Sequence, residues 1–260
     1  MYDKFSADYD HFVNWESRLA VELPFLEQTL RPLSGPSAGP VRLLDAACGT
    51  GMHAIALAQR GFAAAAADLS EAMVARGRAN AETAGAQVDF AAAGFGGLAQ
   101  AFRMSPLIPF DAVLCLGNSL PHLLTPTEVN AALADFAACL HPGGLLIIQN
   151  RNFDAVMLQK DRWMEPQSYR SGQREWVFLR FYDYDPDGLI TFNIITLFRE
   201  NDSAWQQQVN TTRLYPQREK ELTSALYSTG FNPVTAYGSL SGDPFNPASS
   251  GNLVLVARLL

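Results

Sequence analysis

The sequence predicts an α/β fold: a doubly wound, mostly parallel seven-stranded sheet with an antiparallel β insertion after the fifth strand. Three observations predict it. Short apolar runs alternate with amphipathic stretches through residues 41–150, the first run leads directly into a glycine turn, and residues 151–215 contain β-rich stretches without the alternating helices. We therefore divide the chain into an N-terminal helical cap (1–40), a ligand-binding core (41–150), the insertion (151–215) and a C-terminal helix with two closing strands (216–260).

The N-terminal segment is expected to be helical. Apolar residues between Phe5 and Leu26 recur at nearly helical spacing, and Pro24 predicts a break, so we expect two helices. Residues 34–40 are rich in Ser, Gly and Pro and form a flexible connection to the first strand. That strand contains Val41, Leu43 and Leu44, and the next helix is expected to begin near Thr50.

The core shows further strands separated by helix signals. Ser70 is a suitable N-cap, and Thr125 to Glu128 read as a capping box with proline at the first helical position. His141 is expected to be a cation at a helix C-terminus or a solvated turn residue. The remaining strands of the core are predicted at 62–67, 88–92, 109–116 and 145–149.

The insertion and the C-terminal part also have readable patterns. A helix is predicted over 153–159, and Asp185 to Gly188 form a hairpin turn between two of three β stretches. A helix over 219–228 precedes two closing strands, and residues 238–251 read as a surface loop. The β stretches are 176–184, 189–199 and 205–214, and the closing strands are 233–237 and 253–259.

Composition excludes several classes of partner. A net charge of −7 without a Lys/Arg cluster argues against nucleic acid. No apolar run is long enough to span a membrane, and acidic residues interrupt the N-terminus, so we expect neither a membrane anchor nor a signal peptide but a cytoplasmic protein. Cys48, Cys115 and Cys139 lack metal-ligand spacing and read as reduced core residues; no metal site is expected. A small-molecule substrate is favoured, and the oligomeric state is left open.

Two acidic residues indicate which cofactor the glycine turn would hold. Asp45 ends the first strand, where its carboxylate would repel a pyrophosphate and attract a cation. Asp68 ends the second strand, where a carboxylate can accept both ribose hydroxyls. A ribose, no phosphate and a cationic amino-acid tail describe S-adenosylmethionine (SAM). Gly49 to Ala54 also fit the looser G-x-G-x-x-A pattern of NAD-binding folds, which is the alternative.

Three stretches carry a family resemblance. Leu44 to Gly51 resemble the first motif of class I SAM-dependent methyltransferases, whereas Cys115–Leu123 and Gln149–Asp154 resemble segments of glycine N-methyltransferase and its bacterial glycine/sarcosine relatives. The resemblance implies that Asn118 contacts the substrate and that Arg151 binds its carboxylate. It also implies that Leu116 and His122 lie against SAM.

The remaining cofactor contacts are expected on the basis of the same methyltransferase resemblance. The resemblance implies that Arg18 meets the SAM carboxylate. Leu69 and Met73 are expected to flank the adenine; the alternative for Met73 is an ordinary core position. Many class I methyltransferases have an acid after the third strand; this chain has Gly94, which leaves backbone groups and the Phe95 ring to hold the adenine. The glycine turn itself adds Ala47, Gly49 and Gly51 to the expected cofactor-binding residues.

The insertion departs from the relatives. Tyr169 matches one of their substrate-binding tyrosines, but Ile194 stands where we expect a second. The missing hydroxyl makes glycine itself doubtful as the substrate. A group of aromatic residues suggests either a larger, more apolar acceptor or simply the core of the insertion: Trp163, Trp176, Phe181 and Tyr182.

The main hypothesis is therefore N-methylation of a small amine or amino acid held through its carboxylate by Arg151, with Asn118, Arg151 and His122 as the catalytic set. Arg151 could instead pair with an acid of the insertion, and His122 could pack against SAM rather than accept a proton. The alternatives are O- or C-methylation of a metabolite, an NAD-dependent oxidoreductase, and a SAM-binding regulator without activity.

Overall fold

The computed structural model describes residues 13–34, 39–201 and 203–260. Its helices are α1 (Trp15–Leu30), α2 (Met52–Ala58), α3 (Glu71–Ala84), α4 (Leu98–Ala101), α5 (Pro126–Cys139), α6 (Phe153–Gln159) and α7 (Glu219–Ser228), with 3-10 turns at Arg31–Leu33 and Leu120–His122. Its strands are β1 (Arg42–Asp45), β2 (Ala63–Asp68), β3 (Val88–Ala92), β4 (Phe110–Cys115), β5 (Leu140–Arg151), β6 (Gln167–Ser171), β7 (Arg174–Tyr184), β8 (Ile190–Glu200), β9 (Gln206–Leu214), β10 (Phe231–Tyr237) and β11 (Asn252–Leu259).

The predicted seven-stranded sheet is confirmed, in the order β10-β11-β5-β4-β1-β2-β3. All its pairs are parallel except the two made by β11. Alternate residues of β1 point to opposite faces: Leu44 joins the core cluster under α5 and α7, whereas Leu43 joins the one under α1, α2 and α3. Helices therefore cover both faces, which makes the sheet doubly wound.

The order places a topological switch between β1 and β4. The helix that follows β1 packs on one face of the sheet and the helix that follows β4 packs on the other, so a crevice opens beyond the carboxyl ends of these two strands. The site described below lies in this crevice.

The predicted break at Pro24 is wrong, because α1 continues through that residue. Proline removes the helix hydrogen bond to the carbonyl of Ala20, but Ala20 is exposed and water can replace the bond. Leu23, Leu26 and Leu30 are buried on the other face, and this packing outweighs the loss. Most of the stretch predicted as the first helix lies outside the described residues.

The role expected for His141 is also wrong. Strand β5 begins at Leu140, earlier than predicted, so His141 lies within it rather than in a turn. Its Nε2 is 3.0 Å from the Asp111 carboxylate, which also binds the Arg42 guanidinium. His141 thus helps tie the amino ends of the core strands together, away from the crevice.

The insertion contains one strand more than predicted. Its sheet has the order β6-β7-β8-β9 and is antiparallel throughout. Strand β6 is a short edge strand with every residue exposed and no apolar alternation, so the sequence gives no strand signal there. Tyr182, Ile190 and Leu214 pack with Phe153 of α6, the helix that directly follows β5.

The described residues contain no helix that is long and apolar enough to cross a membrane.

Candidate active site

A cavity of about 320 Å³ lies beyond the carboxyl ends of β1, β2 and β4. All the residues expected to bind the cofactor line it, except Gly51: Arg18, Asp45, Ala47, Gly49, Asp68, Leu69, Met73, Gly94, Phe95, Leu116 and His122. Trp15, His53 and Ser119 also line the cavity but were not predicted from the sequence. We refer to this space as the first cavity.

Asp45 is a buried carboxylate with an unsatisfied charge. Its side chain is only 1% exposed, and neither oxygen has a hydrogen-bonding partner of good geometry among the described residues. Burial raises its pKa to about 6, although His53 and the backbone N–H of Ala47 oppose the rise. An acid in this state favours a cation in the first cavity, because a cation would supply the missing partner.

Asp68 is instead held by the backbone. One oxygen accepts the N–H of Gly49 at 2.8 Å, and the other accepts the N–H of Ser70 at 2.9 Å. Ser70 also caps α3 by accepting the N–H of Met73, as the sequence predicted. These bonds fix the carboxylate at the edge of the first cavity, where it can accept hydrogen bonds from a ligand.

Arg18 belongs to a buried polar network. It donates to both oxygens of Glu22 at 3.0 and 3.1 Å and to the Gln149 side chain at 3.3 Å, while His53 lies 2.6 Å from Glu22. Burial raises the pKa of Glu22, but the hydrogen bond from His53 and the charge of Arg18 outweigh it, so the pKa is lower than usual. Glu22 therefore carries a charge that positions Arg18 and His53 on the cavity wall.

Gly51 does not line the first cavity. It has a positive φ of 79°, and a Cβ there would lie 2.9 Å from the Phe90 ring. Its lack of a side chain therefore serves the turn and the packing against β3, not a direct approach to a ligand in this cavity. The sequence could not distinguish these two uses of a glycine.

The opposite end of the first cavity is apolar. Met73 is 1% exposed, Leu69 is 81% exposed, and the Phe95 ring packs edge-on against Phe136 at 5.5 Å. A Cβ at Gly94 would lie 3.0 Å from the Leu69 side chain, so a larger residue at position 94 would crowd this apolar end of the first cavity.

A second cavity of about 520 Å³ adjoins the first. Gly117 and His122 line both, so the two spaces meet at the turn after β4. Asn118 and Arg151 line only the second cavity, as do Arg180, Tyr182, Phe192 and Ile194 from the insertion. The insertion thus forms the outer wall of a space that opens toward the first cavity.

Asn118 and Arg151 are brought together at the ends of β4 and β5. Asn118 has a φ of 65°, and its side-chain oxygen accepts the backbone N–H of Arg151 at 2.9 Å. The Arg151 side chain hydrogen-bonds the Tyr182 hydroxyl, and burial raises the pKa of Tyr182 while Arg151 opposes this. The alternative considered for Arg151, an ion pair with an acid of the insertion, is absent among the described residues.

His122 lies at the junction of the cavities. Its Nδ1 is 3.4 Å from the Thr212 hydroxyl of β9, and burial lowers the pKa of the imidazole. The ring is therefore neutral near pH 7.

Tyr169 is not brought to the site. It lies on the edge strand β6, is 39% exposed, packs against Trp176 at 5.8 Å and lines neither cavity. Of the aromatic group singled out in the sequence, Trp163 and Tyr182 line the second cavity, whereas Trp176 belongs to the core of the insertion.

Two residues at the site that were not predicted, Glu22 and Arg180, have a spacing in the sequence that indicates their position. Arg18 and Glu22 have the i,i+4 spacing of a helical ion pair. Arg180 and Tyr182 are two residues apart on β7, which places their side chains on the same face of the sheet.

Comparisons with known proteins agree with this geometry. A family model of a methyltransferase domain matches residues 43–144. The glycine/sarcosine N-methyltransferase of Aphanothece halophytica is 30% identical over 234 residues, an alignment that covers 90% of this chain and 80% of that protein. The chain belongs to this family of SAM-dependent methyltransferases. Human glycine N-methyltransferase is 35% identical over a shorter stretch, covering 46% of this chain and 43% of the human protein.

Solved structures share the fold of this methyltransferase. A SAM-dependent methyltransferase from Clostridium acetobutylicum superposes with a TM-score of 0.76 at 16% identity, covering 99% of this chain and 98% of that one. The SAM-bound amino pentose methyltransferase CalS10 of Micromonospora echinaspora gives 0.72 at 22% identity, covering 98% and 96%. The family decides between the two cofactors considered above: this enzyme uses SAM, not NAD.

Proposed function

We propose that this methyltransferase transfers the SAM methyl group to the nitrogen of a small amino-acid-like amine whose carboxylate binds Arg151. The observation that carries the proposal is the meeting of the two cavities at Gly117 and His122, with Arg151 on the far side of the junction. The relatives named above for glycine and sarcosine N-methylation support the choice of nitrogen.

The lining of the first cavity suits the charged and apolar parts of SAM. The buried, unpartnered Asp45 carboxylate suits its cationic amino-acid end, and Arg18, preset by Glu22 and Gln149, suits its carboxylate. The Asp68 carboxylate suits the ribose hydroxyls, and Leu69, Met73 and Phe95 offer apolar contact to the adenine. Gly49 and Leu116 complete the wall.

The acceptor would lie in the second cavity. A guanidinium binds a carboxylate through two parallel hydrogen bonds, which fixes the direction of the amine beside it. The Asn118 side chain holds the backbone of Arg151 by accepting the Arg151 N–H, and the Tyr182 hydroxyl holds the Arg151 side chain. The carboxylate is thereby anchored on one side of the junction, and the nitrogen points toward the other.

Methyl transfer needs placement more than covalent help from the protein. When bound, SAM supplies an electrophilic methyl group on a sulfonium, and the reaction needs a nitrogen lone pair aimed at that carbon. The chain holds the acceptor nitrogen in line, and the insertion covers the second cavity and limits the entry of water.

The amine must lose a proton before it attacks. His122 borders both cavities, and its imidazole is neutral near pH 7 because burial lowers its pKa. It can therefore accept that proton directly or through a water molecule. A simpler role for His122 is to pack against SAM in the first cavity without accepting a proton.

Kinetics of an Arg151→Gln variant test the proposal. With amino acids as acceptors, we expect kcat/KM to fall by about 10- to 100-fold, mostly through KM, because a charge-assisted hydrogen-bond pair is lost. SAM affinity, measured by calorimetry, should change by less than about twofold.

Arg258→Gln is the matched control, because Arg258 lies on β11 and lines neither cavity. Unchanged acceptor kinetics in Arg151→Gln would remove the proposed clamp. Turnover of phenols or enols but not of amines would replace N-methylation by O- or C-methylation.

A further inference from the structure

The second cavity has a second cation that a simple amino acid does not need. Arg151 reaches the cavity from the end of β5, and Arg180 reaches it from the middle of β7. One guanidinium is sufficient for one carboxylate. Two in the same cavity can together bind an acceptor that carries more negative charge than one carboxylate.

The strand register fixes Arg180 in the wall. Arg180 pairs across the sheet with Ile194, and Tyr182 pairs with Phe192; all four side chains line the cavity and form one face of the β7–β8 ribbon. The backbone carbonyl of Arg180 also accepts the N–H of Met164 at 3.0 Å. Arg180 is therefore part of a built wall rather than a free surface side chain.

The electrostatics agree with this placement. Burial lowers the pKa of Arg180, and the charge of Arg151 lowers it further. Tyr182 lies within the influence of both guanidinium groups, since each lowers its pKa against the effect of burial. The two cations and the phenol thus surround one region of the cavity.

Two carboxylates also line the second cavity, Asp161 and Glu165, and both belong to exposed residues of the segment between α6 and β6. They suit the cationic or polar part of an acceptor. The remaining wall is apolar, formed by Trp163, Phe192 and Ile194. At about 520 Å³ the space is large for glycine and falls within the usual range for ligand pockets.

We propose that the acceptor is an amine bearing two negative charges, held jointly by Arg151 and Arg180: either a dicarboxylic amino acid or an amine with a phosphate or phosphonate group. This inference rests on the proposed function and narrows its substrate class. Arg180 is then the residue that distinguishes a doubly charged acceptor from a singly charged one.

The test compares glycine, L-aspartate and phosphoethanolamine as acceptors for the wild type, Arg180→Gln and Arg180→Lys. We expect the wild type to prefer at least one dianionic acceptor over glycine by about tenfold or more in kcat/KM, since one added charged hydrogen bond is worth that much. Arg180→Gln should abolish the preference, measured as the ratio of kcat/KM for the dianion to kcat/KM for glycine, and Arg180→Lys should retain part of it. The preference is a ratio measured on one preparation, so a reduced folded fraction does not alter it.

Arg174→Gln is the control, because Arg174 lies on the same strand, pairs with Glu200 and lines neither cavity. A preference for aspartate alone identifies the dicarboxylate, and one for phosphoethanolamine alone identifies the phosphate; either supports the proposal. The absence of any dianion preference in the wild type, or an equal loss for glycine and dianions in Arg180→Gln, would overturn it.

Binding measured by calorimetry separates this inference from the proposed function. Aspartate or phosphoethanolamine should bind the wild type at least tenfold more tightly than Arg180→Gln, whether or not the methyl group is transferred. If no amine is methylated but this difference persists, N-methylation fails and the dianion site stands. If amines are methylated without it, the function stands and the dianion site fails.

Discussion

Asp45→Asn should stabilise the SAM-free enzyme while weakening SAM binding. The Asp45 carboxyl has an ordinary pKa of 3.8 and a folded-state pKa of about 6, raised by burial. Each pKa unit corresponds to about 1.4 kcal/mol, so the ionised carboxylate costs the folded state about 3 kcal/mol well above pH 6. Asparagine has nearly the same shape without this charge.

The pH dependence follows from the sign of the shift. Below about pH 4 the carboxyl is protonated in both states and the cost vanishes. Between pH 4 and pH 6 the unfolded chain releases its proton first, so the wild type loses stability relative to the variant as the pH rises. At pH 8 we expect the variant to melt roughly 5–10 °C higher than the wild type, with a similar ranking in urea.

The assay is thermal and urea unfolding of SAM-free protein from pH 4 to pH 8, with SAM affinity measured by calorimetry at pH 7.5. We expect SAM affinity to fall by at least tenfold, because the variant offers no anion to the cationic end of the cofactor. Asp68→Asn is the contrasting control: its carboxylate accepts two backbone N–H groups, so that variant should be less stable. An Asp45→Asn variant that is less stable at pH 8, or a gap that does not change with pH, would refute the reasoning.

Two further substitutions test the network and the packing around the first cavity. Glu22→Gln removes the charge that binds Arg18 and His53, so we expect a loss of about 2–3 kcal/mol in urea unfolding and weaker SAM binding; unchanged values for both would show that the network is not needed. Gly77→Ala should destabilise by about 1–3 kcal/mol although alanine favours helices, because a Cβ at Gly77 would lie 2.8 Å from the Phe90 ring. A higher melting temperature for Gly77→Ala would show that the ring relaxes at little cost.

The sequence predicted those parts of the fold that depend on local chemistry. The capping box of Thr125 and Glu128 forms both of its hydrogen bonds, and Ser70 caps α3, because these contacts lie within four residues of each other. The strand-end acids Asp45 and Asp68 both line the first cavity, because parallel strands bring their carboxyl ends to one edge of the sheet.

The features that the sequence did not predict depend on tertiary contacts. Pro24 remains inside α1 because buried leucines hold the helix, and β6 is a strand only because β7 lies beside it. Gly51 and Tyr169 matched family patterns, yet Gly51 packs against Phe90 and Tyr169 against Trp176. Arg180 was not predicted, because the role proposed for it depends on its lining the same cavity as Arg151, and nothing in the sequence indicates that these two residues share a cavity.

Position-specific analysis of the product tests the central claim most directly. The enzyme is incubated with SAM carrying a ¹³C-labelled methyl group and with amino acids, including L-aspartate, each beside the amide that lacks the free α-carboxylate, and the products are examined by mass spectrometry and NMR. We predict label on nitrogen only, and turnover of the free acids at least tenfold above their amides, because Arg151 binds the carboxylate. Label on oxygen or carbon, or equal turnover of acids and amides, would contradict the account.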